Sequence, residues 1–301
     1  MKTAKRFLIF IIILFIFGLL GHISKAPVTD TSIPDDIKTE ELPVIVVKPE
    51  AIYPGDPIFI TINSTSTPSE VFWDNKKVTI FNYNSKPRVL LPVDFNEKDL
   101  KHTLHIAFEN GEELNEIVEL KPREKIERPL GIPEKLGGNT PESAKKLVNN
   151  LALENQVINN ISSSLKILWS KNFIYPLDNP LVTDDYGYDR NTVDQNIVHK
   201  GTDFRAKIRT PVMAMNDGII KVSRKFTVYG NTIIIDHGLG VQSLYMHLSE
   251  LDVKEGDKVE RGEIIGLSGD TGYADAAHLH ISVKINGVSI DPITFLNFFN
   301  K

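Results

Sequence analysis

Between residues 43 and 121 the chain runs in short bursts of β-branched and aromatic residues broken by turn formers, a rhythm that leaves little besides a sheet protein open to it. The bursts fall at residues 43–47, 58–62, 71–73, 78–81, 89–91 and 103–108. Clusters such as Tyr53-Pro-Gly-Asp-Pro57 and Glu109-Asn-Gly111 separate them. Strands at this spacing predict a small β-sandwich of immunoglobulin type. Cysteine is absent. The sheets must therefore be held by apolar packing alone, and thiolate metal sites, cysteine nucleophiles and lipoprotein anchors are excluded.

The sandwich is one part of a longer plan. With 301 residues the chain has room for two domains of ordinary size. Lys2, Lys5 and Arg6 precede an unbroken apolar run at residues 7–20, the pattern of an export signal. No good small-residue cleavage site follows, so residues 1–23 are expected to act as an uncleaved signal anchor, with a cleaved signal peptide as the alternative. Residues 24–42 read as a linker, 43–121 as the sandwich, 122–166 as a second linker with a helix, and 167–301 as a compact, mostly antiparallel β domain. The helix is announced by Thr140-Pro-Glu142, a cap followed by proline at the first position. Ala144, Leu147, Val148, Leu151, Val157, Ile158, Ile161 and Leu165 continue it at helical spacing. The fold class is therefore mainly β. A net charge of −5 gives no support for a nucleic-acid partner.

Chemistry concentrates in the last third. Of eight histidines, four lie in three short strings: His199-Lys-Gly-Thr-Asp203, Tyr245-Met-His247-Leu248 and His278-Leu-His280. Side chains two apart on a strand share a face, so His278 and His280 point one way and Leu279 into the core. Simple alternation also places Tyr245 on the face of His247, where it either lines a groove or packs as a strand residue. His199 and Asp203 fall on an extended or turning segment and can both ligate one ion. Imidazole nitrogen and carboxylate oxygen are ordinary zinc ligands, and three such ligands leave a position open for water. Ser268 lacks nucleophile-elbow spacing and reads as a turn residue. His102 and His105 fall on opposite faces of one strand and are not expected to ligate.

On these motifs the segment from His199 to the C-terminus resembles the lysostaphin/LytM family of zinc endopeptidases. Gly230-Asn-Thr-Ile-Ile-Ile-Asp-His-Gly238, Val253-Lys-Glu-Gly-Asp-Lys-Val259 and Asp291-Pro292 extend the likeness. The resemblance implies a lysostaphin-type peptidase domain at residues 167–301. It also implies Zn2+ bound by His199, Asp203 and His280, with His247 and His278 as an unligated catalytic pair whose individual roles stay open. Peptidoglycan peptides are the implied substrate, in the cell envelope, with the membrane reached through the N-terminal segment and a protein activator not identified. Ala276-Ala277, Ile281 and Tyr273-Ala-Asp275 depart from the family's usual pattern at the rim of the site, which bears on substrate preference. A catalytically silent wall-binding regulator is the alternative.

Overall fold

The computed structural model of the protein describes residues 43–191 and 196–299. The expected export segment and the linker at 24–42 lie outside the described residues. Among those described, no helix is long and apolar enough to cross a membrane.

The first half is two four-stranded antiparallel sheets packed face to face. Its strands are β1 (Val44–Lys48), β2 (Pro57–Asn63), β3 (Pro68–Trp73), β4 (Lys76–Val78), β5 (Phe81–Tyr83), β6 (Lys86–Pro92), β7 (Lys101–Phe108) and β8 (Glu113–Glu119). One sheet runs β1-β2-β6-β5 and the other β4-β3-β7-β8. Alternation explains the core between them: Ile58, Ile60 and Ile62 of β2 meet Val71, Leu104 and Ile106 of the facing sheet. The expected single burst at 78–81 is split between β4 and β5. No burst marks β8, because its sequence, ELNEIVE, is mostly polar. It is an edge strand whose outward face is solvated, so little apolar signal is needed.

The outer face of the first sheet is also covered. Phe59, between the inward isoleucines of β2, joins Phe81 and Tyr83 in a core shared with Trp169, Phe173, Phe295 and Phe299 of the C-terminal half. Phe59 stacks on Phe298 at 5.6 Å, and the Arg88 guanidinium lies 4.8 Å from the Phe59 ring centroid. A polar junction stands beside this aromatic one. Arg123 donates to Asp56 at 2.7 Å, Asp291 N–H donates to Gly55 carbonyl at 2.8 Å, and Tyr186 hydroxyl donates to Ser289 carbonyl at 2.9 Å. Burial lifts the Asp56 carboxyl to about 6 against the pull of Arg123. Both halves lie in one compact unit, Glu41–Lys301.

The connection is β9 (Glu127–Pro129) and α1 (Pro141–Asn159). Thr140 caps α1, its hydroxyl accepting Ser143 N–H at 3.2 Å with Pro141 in the first turn. The helix stops at Asn159, so Ile161 and Leu165, expected to continue the apolar stripe, lie beyond it; Leu165 is 92% exposed.

The rest of the chain is β10 (Val182–Asp184), β11 (Asp189–Asn191), β12 (Asn196–Val198), β13 (Thr202–Arg205), β14 (Pro211–Met213), β15 (Gly218–Lys225), β16 (Asn231–Gly238), β17 (Val241–Leu248), β18 (Glu250–Leu251), β19 (Lys258–Val259), β20 (Ile264–Leu267), β21 (His278–Ile285), β22 (Val288–Ile290) and α2 (Pro292–Asn297). The main sheet runs β10-β13-β21-β17-β16-β15-β19, with β22 also on β21. Its neighbouring strands are antiparallel, and one face packs on the aromatic core through Tyr245, Leu279, Ile281 and Val283. The opposite face carries the site.

Candidate metal centre and active site

The β13–β21 ladder sets Asp203 directly opposite His280, so their side chains leave the sheet side by side. His199 reaches the same point from the turn before β13. Its backbone is pinned there by His199 N–H to Tyr188 carbonyl and Gly187 N–H to His199 carbonyl, both 2.8 Å. Gly201 makes the close approach possible: a Cβ there would fall 2.3 Å from His280 Nε2 and 2.5 Å from Ile281 carbonyl. His199, Asp203 and His280 form a buried triangle of ligand atoms. The edges are 3.2 Å from His199 Nε2 to Asp203 Oδ1, 3.1 Å from His199 Nε2 to His280 Nδ1, and 2.7 Å from His280 Nδ1 to Asp203 Oδ1.

The hydrogen bonds behind the triangle assign its protons. His199 Nδ1 faces Asp185 carbonyl at 2.8 Å, an acceptor only, so the proton sits on Nδ1 and the Nε2 lone pair faces inward. Ser282 gives its hydroxyl proton to Lys200 carbonyl at 2.7 Å and so accepts from His280 Nε2 at 3.0 Å, which turns the His280 Nδ1 lone pair inward too. Two lone pairs and a carboxylate oxygen thus face one another without a proton between them. A protonated His280 would relieve one edge, but burial pushes its pKa down to about 4, outweighing the attraction of Asp203. A cation relieves all three edges. Atoms bound to one ion at about 2.0–2.1 Å stand roughly 3.3 Å apart at tetrahedral angles, close to the observed edges. The donor set therefore fits a metal ion.

Arg190 on β11 completes the support, and nothing in the sequence marked it. Its Nη2 donates to Asp203 Oδ2 at 2.7 Å and also bridges to Asp184 Oδ2. That leaves Oδ1 to the triangle.

His247 and His278 stand beside the triangle. Their ring centroids are 4.9 Å apart, His247 is 6.1 Å from the His280 ring, and His278 Nε2 lies 3.7 Å from Asp203 Oδ1. Each turns Nδ1 toward a backbone carbonyl, Thr271 for His247 and Ala276 for His278, both at 2.8 Å. Both rings therefore hold an Nε2 lone pair free for proton transfer when neutral. Burial, with His278 and His280 close by, drives the His247 pKa down to about 3.

Strand alternation does not bring His247 here, and of the two readings of Tyr245 the packed strand residue holds and the groove residue does not. Between Tyr245 and Leu248 the β17 strand takes three steps where β16 takes two, from Ile233 to Asn231. This is a bulge, and His247 sits in it at φ +61°. The bulge lets Met246 and His247 line the same cavity. Tyr245 points to the other face, fully buried, its hydroxyl 2.8 Å from Met215 N–H and 2.9 Å from Ser243 Oγ. Ser268 is also buried and turns its hydroxyl to Lys207 carbonyl at 2.6 Å, as a turn residue.

A cavity of about 450 Å³ reaches His199, His247 and His280. Its far wall is α1, through Leu147, Val148, Leu151 and Asn155, with Leu130 and Gly131 from the segment after β9. The sandwich contributes Asn96 to the lining. Apolar contact holds the wall in place: Ile132, Ala144 and Leu147 pack with Val228, against partly buried Leu151, Ile197 and Tyr273.

Known proteins agree with this geometry. The model of peptidase family M23 matches residues 197–292. The chain is similar to the peptidoglycan DD-endopeptidase ShyA of Vibrio cholerae, 34% identical over 166 residues, covering 52% of this chain and 38% of that protein. It is similar to the glycyl-glycine endopeptidase ALE-1 of Staphylococcus capitis, 46% identical over 105 residues, covering 33% of this chain and 29% of that one. The chain thus spans well under half the length of these relatives. In fold it is similar to a crystal structure assigned to peptidase M23 from Pseudomonas aeruginosa, with a TM-score of 0.59 at 23% identity, over 81% of this chain and 94% of that one. The three ligands and both further histidines lie within residues 197–292, the segment that matches peptidase family M23.

Proposed function

We propose that the protein is a zinc-dependent endopeptidase that hydrolyses peptide bonds of bacterial cell-wall peptidoglycan. The observation that carries this reading is the convergence of three inward-facing ligand atoms with two further histidines whose Nε2 atoms are free. His199, Asp203 and His280 would hold the ion. Bound zinc would lower the pKa of its water toward neutrality and polarise a carbonyl. Arg190 fixes the Asp203 carboxylate, while Asp185 carbonyl and Ser282 fix the two ligand rings. His247 and His278 move the protons: one Nε2 takes a proton during attack and returns it to the leaving amine, and the other ring steadies the developing charge. The name of ShyA, a peptidoglycan DD-endopeptidase, supports a wall substrate, and that of ALE-1, a glycyl-glycine endopeptidase, supports cleavage of a peptide bond.

The remaining parts fit an exported protein. The charged, apolar start of the sequence supports delivery across the membrane as an anchor or a cleaved signal. The sheet orders β1-β2-β6-β5 and β4-β3-β7-β8 support the immunoglobulin reading, as strands A-B-E-D over C′-C-F-G. The sandwich then acts as a spacer fused to the peptidase.

The test is metal analysis together with turnover on purified sacculi. The expected result is one zinc per chain and release of new amine ends, both lost in His280→Ala. A protein that carries no zinc and releases no amine, with His280→Ala indistinguishable from it, refutes the enzyme and favours the silent regulator.

A further inference from the structure

Besides its apolar contacts, the helix that walls the cavity is held by a buried carboxylate. Glu154 of α1 is buried, and its oxygens accept three consecutive backbone N–H groups: Thr227 at 2.6 Å, Val228 at 2.9 and 3.2 Å, and Tyr229 at 3.1 Å. Successive amides converging on one point form a nest, a backbone site for anions. This nest belongs to the peptidase half, in the turn between β15 and β16. Tyr229 couples it to the reaction centre, because its carbonyl accepts His247 N–H at 2.9 Å. Next to Glu154, Asn155 accepts the Tyr229 hydroxyl at 2.9 Å.

At the nest, α1 lines two hollows. On one side is the cavity of about 450 Å³ that reaches His199, His247 and His280. On the other is a hollow of about 860 Å³ that Glu154 and Thr227 line together with Lys135, Arg224 and Lys225. Asp270 also lines the hollow, but the three bases outnumber it and favour anions on that side. A peptide lying in place of α1 would leave three amides without their acceptor, which is unfavourable unless it brings one. Wall peptides and other peptide substrates carry carboxylates.

We propose that the Thr227–Val228–Tyr229 nest is a subsite for a carboxylate of the peptide substrate, and that Glu154 occupies it as an internal stand-in. The proposal rests on the peptidase reading for the word substrate; the anion site itself does not depend on turnover. Leu147 and Leu151 then act as the apolar part of the same stand-in.

The test is calorimetry on the full chain, wild type and Glu154→Ala, with three probes. They are an N-acetyl alanine dipeptide with a free C-terminal carboxylate, its C-terminal amide, and an amidated dipeptide with a glutamate side chain. Glu154→Ala is expected to bind at least one carboxylate probe about tenfold or more tighter than the amide. Wild type is expected to show no such preference. Which carboxylate probe wins tells a C-terminal from a side-chain carboxylate. Glu154→Gln keeps the shape of the helix face while removing the charge, and shows the same preference if Glu154→Ala fails to fold. Equal binding of all three probes, or none by a folded variant, overturns the proposal. Turnover with no carboxylate preference defeats this subsite alone, whereas carboxylate preference with no turnover on any peptide defeats the peptidase reading and leaves the anion site.

Discussion

Gly201→Ala tests the metal centre without touching a ligand. Gly201 is not in the left-handed region, so alanine suits its backbone and the effect is steric. The new Cβ would lie 2.3 Å from His280 Nε2 and 2.5 Å from Ile281 carbonyl, where ordinary contact begins at 3.4 Å. The ring has to retreat by about 1 Å, since the Ile281 carbonyl is fixed in the ladder, and overpacking of this kind costs roughly 1–3 kcal/mol. For a domain of this size that is a fall in Tm of roughly 2–4 °C per kcal/mol. The retreat also breaks the His280 contact with Ser282 that orients the ligand, so metal affinity should fall about 10–100-fold. Gly256→Ala is the control. Gly256 has φ +92°, and nothing lies within 4 Å of the point a Cβ would take, so alanine there strains the backbone alone. It should lower Tm through a strain of about 1–2 kcal/mol and leave metal affinity unchanged. Thermal melts and chelator competition read both quantities. If Gly201→Ala binds metal like wild type, or if both variants lose metal alike, the assignment of the triangle as a tightly packed metal centre is refuted.

Three further outcomes follow from the same geometry. Arg190→Met leaves Asp203 Oδ2 without its guanidinium and should weaken metal binding about 10–100-fold, read by chelator competition, with a smaller loss in Arg190→Lys. Tyr245→Phe removes a hydroxyl that binds Met215 N–H in the core; it should lower stability by about 1 kcal/mol and leave the proposed activity nearly unchanged, against the groove role. His237 is fully buried between Asp217 carbonyl and Ser243 Oγ, and burial depresses its pKa to about 4. Its contribution is therefore complete above the unfolded value and is lost as the pH falls from about 6.5 to about 4, by about 1.4 kcal/mol per unit. Denaturant melts of the metal-loaded protein across this window should show a shallower slope in His237→Gln.

The site was legible where chemistry coincides with a short period. His278-Leu-His280 states its own geometry, because alternation on a strand puts Leu279 in the core and both rings outside it. The helix start was legible because Thr140-Pro141 is a local cap. What the sequence hides is set by long-range structure. A positive φ at His247 leaves no trace in an apolar pattern, so simple alternation placed Tyr245 on the wrong face. Arg190 lies in a short polar stretch that reads as loop, and only the fold brings it to Asp203. The six-residue α2 was not read from the sequence, since so short a segment has no helical period to detect. The placement of α1 across the cavity depends on Glu154 meeting amides more than seventy positions away.

The aromatic seam made by Phe59, Tyr83, Phe173 and Phe299 sets how the molecule can open. Two halves that share a core have no hinge between them, and parting them would expose several large rings to water at once. Sandwich and peptidase share one core, and the strap from β9 through α1 lies outside that core, across the cavity. Access for a bulky substrate then depends on lifting a strap from a frame, not on opening a jaw. A force or partner that pulls on that strap would reach the metal centre while leaving the frame intact.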